Sequence, residues 1–189
     1  MPESRPIFTI GHSTKSIPEF VELLRRGPAD LVVDIRTVPR SRHNPQYNED
    51  GLAAELAPYQ IGYRRIAGLG GLRGRSAGVP PEVNGFWDNR SFHNYADYAL
   101  SDAFAAALGE LLELGSERQC AIMCAEAVWW RCHRRIVADY LLARGRAVCH
   151  LLGTDRVEPA RLTQGAVPAS GRITYPAMAP DGSSKLESP

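Results

Sequence analysis

Residues 123–135, MCAEAVWWRCHRR, combine several side chains that can do chemistry. Cys124 is predicted to end a buried strand shortly before a helix, where backbone N–H groups and the helix dipole stabilise a thiolate. A thiolate is a nucleophile, so Cys124 is the first candidate for nucleophilic catalysis; the alternative is a small buried apolar side chain. Cys132, predicted in the first turns of the helix, is the second candidate nucleophile or a redox partner of Cys124.

Three further side chains could transfer protons in such a reaction. Glu126 follows the predicted strand and suits a general acid or base, although an ion pair with Arg131 or Arg134 is an equal alternative. His133 opens the predicted helix and His12 directly follows another strand, and histidine is the usual proton carrier near neutral pH. The predicted catalytic residues are therefore Cys124, Glu126, Cys132, His133 and His12.

Arginines and aromatic side chains indicate an anionic ligand. Arginine forms forked hydrogen bonds to phosphate or carboxylate, and a helix N-terminus favours negative charge. Asp34 could hold one of these arginines or orient a histidine. Trp129 and Tyr47 could stack on a base or another flat ligand, although Trp129 could instead anchor the core. The predicted substrate-binding residues are Ser13, Asp34, Arg36, Arg40, Arg42, Arg134, Trp129 and Tyr47.

Two other functions remain open. Seven arginines between residues 36 and 75 face three acidic residues, a local excess of four positive charges that suits a nucleic-acid-binding module. Alternatively, a metal-dependent site could form where four side chains converge, namely Cys124, Cys132, His12 and His133. The spacing of the two cysteines is unlike common zinc patterns, so we assign no metal ligands and name no cofactor.

The composition is that of one globular domain. The chain has 189 residues, and its net charge of +1 gives no global attraction to DNA. No run of 18 apolar residues and no secretory signal is present, so we expect a cytoplasmic protein without a membrane partner. The four cysteines are then expected to be thiols, and Cys120 and Cys149 to lie within core strands. The oligomeric state does not follow from these features.

Strand-like and helix-like segments alternate along the chain. Near-continuous apolar strands of this kind predict a mostly parallel sheet of about five strands with helices on both faces, an α/β fold. The predicted strands are 7–10, 31–35, 61–66, 119–124 and 147–152, and the clearest helices are 92–114 and 130–143. Residues 67–91 form a long glycine-rich loop, which is typical of functional or mobile segments.

The polar clusters fall at the ends of these strands. Ligand sites of parallel sheets lie beyond the carboxyl ends of the strands. One cluster, at 11–14, follows the first strand, another, at 34–36, closes the second, and the segment 124–134 follows the fourth. We therefore expect the three clusters to meet in one crevice.

Five segments together resemble a known family. They are TIGHSTKSIPEF (9–20), VVDIRTVPRSRHNPQYN (32–48), IAGLGG (66–71), FHNYADY (92–98) and CAEAVWWRCHRRIVADYL (124–141). In this order, and over about residues 7 to 152, they are similar to the domain of unknown function 488 family of bacteria and archaea. The resemblance implies a single Rossmann-like three-layer domain, here 1–156. The remainder, 157–189, is rich in Pro, Ala, Gly and Ser, and this composition predicts a loosely structured tail.

The resemblance carries no settled activity, but it points to the same strand-end residues. Val128 and Trp129 depart from it, because the family loop usually carries an acidic residue and a proline there. We expect this departure to affect how the loop fits its substrate. The leading hypothesis is a cysteine-dependent hydrolase or transferase acting on an anionic, nucleotide-like or nucleic-acid substrate.

Overall fold

The structure, a computed structural model, describes residues 5–153 and 156–179. Six strands form a central sheet in the order β3-β2-β4-β1-β5-β6. The first five strands run parallel and β6 pairs antiparallel to β5 at one edge. This mostly parallel sheet with helices confirms the predicted α/β, Rossmann-like class. The strands are β1 Ile7–Gly11, β2 Leu31–Asp34, β3 Gly62–Arg65, β4 Cys120–Cys124, β5 Val148–Leu152 and β6 Arg156–Pro159.

In the described residues, five α-helices cover the sheet on both faces. They are α1 Ile17–Arg25, α2 Glu49–Leu56, α3 Arg90–Ala99, α4 Asp102–Glu117 and α5 Arg134–Ala143. One core cluster joins α1 and α2 to the sheet, and a second joins α3, α4 and α5 to its other face. Successive strand residues alternate between these cores, with Val32 in the first and Val33 in the second. The strands are therefore apolar on both sides, as their sequences predict.

The predicted helix 92–114 is two helices. Ser101 between them has an extended backbone (φ −81°, ψ 157°), and its side chain accepts a hydrogen bond from the N–H of Phe104. A serine in this conformation caps the next helix instead of continuing the previous one. The apolar periodicity runs through both helices because both pack on the same core.

The segment after residue 156 is folded, which corrects the expectation of a loosely structured tail over 157–179. Besides β6 it contains a hairpin of β7 Val167–Ala169 and β8 Arg172–Thr174. Ile173 and Tyr175 are fully buried. The Tyr175 hydroxyl donates to the Asp139 carboxylate at 2.9 Å, and the N–H of Thr163 donates to it at 2.8 Å. The proline- and glycine-rich composition gave no indication of these few buried contacts. The remainder of the tail, 180–189, lies outside the described residues.

The strand order collects the polar clusters at one edge of the sheet. Because β4 lies between β2 and β1, the carboxyl ends of these three strands are neighbours. Gly11 stands opposite Cys124, and Asp34 stands opposite Met123. None of the helices in the described part of the chain is long and apolar enough to cross a membrane.

Candidate active site

A cavity of about 300 Å³ lies beyond this edge of the sheet. Three stretches of chain form its walls: the segment after β2, the glycine-rich loop with the start of α3, and the loop from β4 to α5. Both cysteines singled out from the sequence line it. The lining residues are Arg36, Thr37, Val38, Gly71, Leu72, Ser91, Phe92, Cys124, Ala125, Glu126, Arg131, Cys132 and His133.

Cys124 and Cys132 are in direct contact. Their sulfur atoms lie 2.6 Å apart, both cysteines are free thiols, and their exposed fractions are only 4% and 6%. Either sulfur could donate a hydrogen bond to the other, so the two thiols titrate as a coupled pair.

The start of α5 stabilises negative charge on Cys132. Cys132 has an extended backbone (φ −127°, ψ 149°) and therefore precedes the helix, which corrects its predicted position within the first turns. Its carbonyl accepts from the N–H of Arg135, and its sulfur accepts from the N–H of Arg134 at 3.4 Å. These are the hydrogen bonds of an N-cap residue, so the cysteine sulfur occupies the place of a capping oxygen at the positive end of the helix dipole.

His133 is oriented to receive the proton of Cys132. Its Nε2 lies 2.9 Å from the Ile35 carbonyl oxygen, which can only accept, so Nε2 carries the hydrogen. In the neutral ring Nδ1 is then an acceptor, and it lies 3.5 Å from the Cys132 sulfur. Gly71 makes room for this arrangement, because a Cβ at that position would lie 2.4 Å from Nδ1.

Arg134 is a buried cation held against the same sulfur. Its side chain is 1% exposed, and its Nε donates to the Cys132 sulfur at 3.4 Å. Its other contacts are neutral, the Glu126 carbonyl at 2.6 Å and the Thr9 hydroxyl at 3.5 Å. Among the described residues no carboxylate forms an ion pair with Arg134, so its available counterion is a cysteine sulfur, either that of Cys132, to which it donates, or that of the adjacent Cys124.

The two thiols consequently have opposite pKa shifts. Burial raises the pKa of both. For Cys132 the hydrogen bond from Cys124 and the charges of His133 and Arg134 outweigh burial and bring the pKa well below its usual range. For Cys124 the neighbouring sulfur adds to burial and raises the pKa further. These directions favour Cys132 over Cys124 as the carrier of negative charge in the pair.

Arg36 supplies a second cation to the cavity wall. Asp34, fully buried, accepts from its Nε at 2.9 Å and from its Nη2 at 2.6 Å. Nη2 also donates to the Tyr47 carbonyl at 2.7 Å, and Nη1 lies 3.3 Å from Nε2 of His12. Of the five guanidinium N–H groups, one on Nη1 has no partner among the described residues and can meet a ligand.

His12 lies behind Arg36. Its Nδ1 donates to the Ser13 carbonyl at 2.9 Å, its Nε2 accepts from Arg36, and its ring stacks on Tyr47 at 4.1 Å between centroids. Burial lowers the pKa of His12 to about 4, against the opposing effect of the Ser13 carbonyl. With both nitrogens engaged by protein groups, a neutral His12 holds Arg36 in place.

Residues 16–141 match the model of a family described as Domain of unknown function DUF488. The chain belongs to this family. The match includes the segment after β2, the glycine-rich loop and both cysteines, and it begins after Gly11-His12-Ser13. Neither the curated proteins nor the solved structures gave a match.

The remaining predicted site residues of this DUF488 protein divide between the cavity and its surroundings. Glu126 lines the cavity with an exposed side chain that forms no ion pair among the described residues. Arg40 and Arg42 line a second cavity, of about 560 Å³, which shares Val38 with the first. Ser13, with a left-handed backbone (φ 46°), donates its N–H to the Ala125 carbonyl. Trp129 lies outside the cavity, stacked on His150 at 4.3 Å.

The sequence reasoning missed the apolar wall of the cavity. Leu72 and Phe92 form it together with Val38, and Gly71 fits against the imidazole of His133. The only signal was the length and glycine content of the loop 67–91, which indicated function without indicating which residues face the cysteines.

The arginine-rich region has less free charge in this DUF488 protein than its sequence indicates. Arg36 is paired with Asp34, and Arg73 lies over the ring of Tyr98 at 3.7 Å. Arg64 and Arg65 form ion pairs with Glu110 and Glu49. The metal-dependent alternative has no support in the described ranges, because no group of three or more His, Cys, Asp and Glu side chains there is arranged to hold a metal ion.

The buried histidines are expected to make the DUF488 fold acid-sensitive. Burial lowers the pKa of His150 from 6.5 to about 4, with a further contribution from Arg134, as burial does for His12. The unfolded chain then binds more protons than the native one below pH 6.5, so stability falls between pH 6.5 and about 4, by up to roughly 3 kcal/mol per histidine. Urea unfolding at a series of pH values measures this loss.

In a His150→Gln variant the free energy of unfolding should depend less on pH, because the variant has no histidine to protonate on unfolding. Its difference in stability from the parent should therefore shrink as the pH falls from 6.5 to about 4. His43→Gln, in an exposed loop, is the matched control and should keep the parental slope. Equal slopes for the parent and the His150 variant would contradict the assignment.

Proposed function

We propose that this DUF488 protein is an enzyme in which the thiolate of Cys132 attacks an electrophilic centre of an anionic substrate held in the cavity. The observation that supports this most is the buried Arg134, whose available counterion is the Cys124–Cys132 sulfur pair and whose Nε donates to Cys132. A buried cation is costly unless it is paired, so the site is built around a negatively charged sulfur. A low-pKa thiolate that lines a cavity is the typical state of a catalytic cysteine.

The proposal reverses the order of the two cysteines expected from the sequence. Cys124, at the strand end, donates its hydrogen to the thiolate and keeps it oriented. Cys132 receives the helix N-terminus and the guanidinium of Arg134, and His133 can take its proton. This division of roles matches the general arrangement of a nucleophile beside a base that is itself oriented by a third group, here the Ile35 carbonyl.

Arg36 and the exposed Arg131 are proposed to bind the negative charge of the substrate. Arg36 offers its free N–H group, and Arg131 stands at the opening of the cavity. The wall formed by Val38, Leu72 and Phe92 suits an apolar or flat part of the same molecule. A nucleotide-like phosphate or carboxylate derivative is within this substrate class.

The proposed reaction has two steps. In the first, the Cys132 sulfur forms a bond to carbon or phosphorus, and the leaving group departs with its electron pair and takes a proton from the His133 imidazolium. In the second, water loses a proton to His133 or Glu126 and displaces the sulfur, which releases the product and restores the thiolate. The same covalent intermediate with another acceptor in place of water gives a transferase.

The experiment that tests the nucleophile is the pH profile of alkylation by iodoacetamide, with each cysteine quantified by peptide mass spectrometry. The rate at Cys132 is expected to be nearly constant between about pH 6 and pH 8, because its thiolate is already formed. Cys149 is the internal control: burial raises its pKa, so its rate should rise roughly tenfold per pH unit. Parallel rises at Cys132 and Cys149 would overturn the proposal.

Activity itself is tested with acetyl phosphate, which offers an acyl and a phosphoryl group on one small anion. The parent and Cys149→Ser proteins are expected to form an adduct on Cys132, and Cys132→Ser to form none. An adduct on Cys124 in the parent protein would show that Cys124, at the end of β4, is the nucleophile instead.

A further inference from the structure

We propose that Cys132 and Cys124 form a peroxide-sensitive disulfide site, in which Cys132 reacts with a hydroperoxide and Cys124 resolves the product. The proposal concerns oxidation of the protein itself. It uses the same thiolate as the proposed function but requires no substrate of that function.

The two sulfurs lie where a small oxidant would reach them. Both are nearly buried, are 2.6 Å apart and line the cavity, so a small oxidant entering it meets the pair directly. Cys120 and Cys149 lie within β4 and β5 and do not line it. The chain therefore contains its own control thiols.

The backbone already holds the two cysteines together. Cys124 ends β4, which pairs with strands on both sides, and Cys132 caps α5. The seven residues between them form a largely exposed loop that can absorb small adjustments. The sulfurs need to approach by only about half an ångström to reach the length of a disulfide bond.

Negative charge is favoured on one of the two sulfurs. Oxidation by peroxide requires a thiolate, and the N–H groups of Arg134 stabilise one on Cys132. Resolution requires a protonated partner within reach, and Cys124 is that partner. Sensor cysteines in general combine a low-pKa thiolate, access and an adjacent resolving cysteine.

The chemistry balances without a further component. The Cys132 thiolate attacks the terminal oxygen of the hydroperoxide, the O–O bond breaks, and the departing alkoxide or hydroxide takes a proton, which leaves a sulfenic acid on Cys132. The Cys124 sulfur then attacks the sulfur of Cys132, and the sulfenic hydroxyl leaves as water with the Cys124 proton. Two thiols lose two electrons, and the hydroperoxide gains them. A dithiol reductant restores the pair by exchange.

Formation of this bond would remove the nucleophile of the proposed enzyme. Cys132 would lose its negative charge, so the site would be switched off until a reductant regenerates it. Oxidation would also leave Arg134 without its counterion, because its other contacts are neutral. The oxidised form is therefore expected to unfold at a lower urea concentration than the reduced form.

The test treats the reduced full-length protein with equimolar hydrogen peroxide at neutral pH and maps cysteine peptides by mass spectrometry. A Cys124–Cys132 bond is expected, with the loss of two hydrogens, at a rate roughly tenfold or more above oxidation of Cys149. Dithiothreitol should reverse it. The Cys149→Ser protein should behave like the parent. Oxidation first at Cys120 or Cys149, or a sulfinic acid on Cys132 without a disulfide, would overturn the proposal.

The Cys124→Ser variant supplies the mechanistic readout and keeps the counterion of Arg134. It should accumulate a sulfenic acid on Cys132 that dimedone traps, whereas no dimedone adduct on Cys132 would contradict the assigned order. The outcome is separable from that of the proposed function. A pH-independent alkylation rate at Cys132 without disulfide formation would support the nucleophile and contradict the redox site. A disulfide without any acyl or phosphoryl adduct would support the redox site and contradict the proposed enzyme.

Discussion

Replacement of Asp34 by alanine is expected to lower the free energy of unfolding by about 3–5 kcal/mol, the usual cost of leaving one member of a buried ion pair without its partner. Asp34 is fully buried, and Arg36 is 5% exposed. The carboxylate accepts from the Nε, Nη2 and backbone N–H of Arg36 and from the hydroxyl of Tyr63 at 2.7 Å. Alanine removes all four acceptor contacts and leaves the guanidinium charge buried.

Urea or thermal unfolding measures this loss, and two variants separate its causes. Arg36→Met in the Asp34→Ala background removes the orphaned charge, so the double variant should recover a large part of the stability. Tyr63→Phe removes one hydrogen bond to the same carboxylate and should cost only about 1 kcal/mol. A double variant as unstable as Asp34→Ala would show that the buried charge is not the cause.

Loss of the Cys132 thiolate is expected to have the second largest effect. Cys132→Ser leaves Arg134 buried beside a neutral hydroxyl. An orphaned buried charge costs roughly 3–5 kcal/mol, and the hydroxyl, which still accepts a hydrogen bond, offsets about 1 kcal/mol of this. The expected destabilisation is therefore on the order of 2–4 kcal/mol. The matched control is Cys124→Ser, which keeps the thiolate and should lose much less.

Two measurements test whether the buried charge is the cause. First, Arg134→Met in the Cys132→Ser background removes the orphaned charge and should restore stability. Second, the difference in unfolding free energy between the parent and Cys132→Ser should depend on pH. The pKa of Cys132 is lowered in the native state, so the unfolded chain binds the extra proton and the difference grows as the pH rises toward about 8.5. Above that pH the raised pKa of Cys124 reverses the trend in the parent protein. A difference independent of pH would argue against a native thiolate.

Much of the fold could be predicted from local sequence patterns. The parallel sheet follows from apolar strands such as 31–35 alternating with amphipathic helices, because strands of that composition must be covered on both faces. The start of α1 also depends on residues close in sequence, because Ser16 and Glu19 form a capping box there. The crevice followed from a general rule of parallel sheets, that strand carboxyl ends meet at one edge.

The roles within the crevice were not predictable in this way. A histidine such as His12 is a suitable proton carrier, but in the structure its two ring nitrogens form hydrogen bonds to Ser13 and Arg36. Tyr47 was assigned to the ligand, and it is a fully buried ring stacked on His12. Both assignments depend on which neighbours the fold supplies, and those neighbours are distant in sequence.

The sequence by itself determined the fold class, the family and the set of strand-end residues from which a site could be built, because these depend on periodicity and on short motifs. The tertiary structure decided which of them act together. Hydrogen bonds and charge pairs depend on distances of a few ångströms. Only the packed chain brings the Cys124 and Cys132 sulfurs to 2.6 Å and buries Arg134 with no carboxylate of the described residues in an ion pair with it. These two features are the reason why we propose Cys132, at the start of the helix, as the nucleophile.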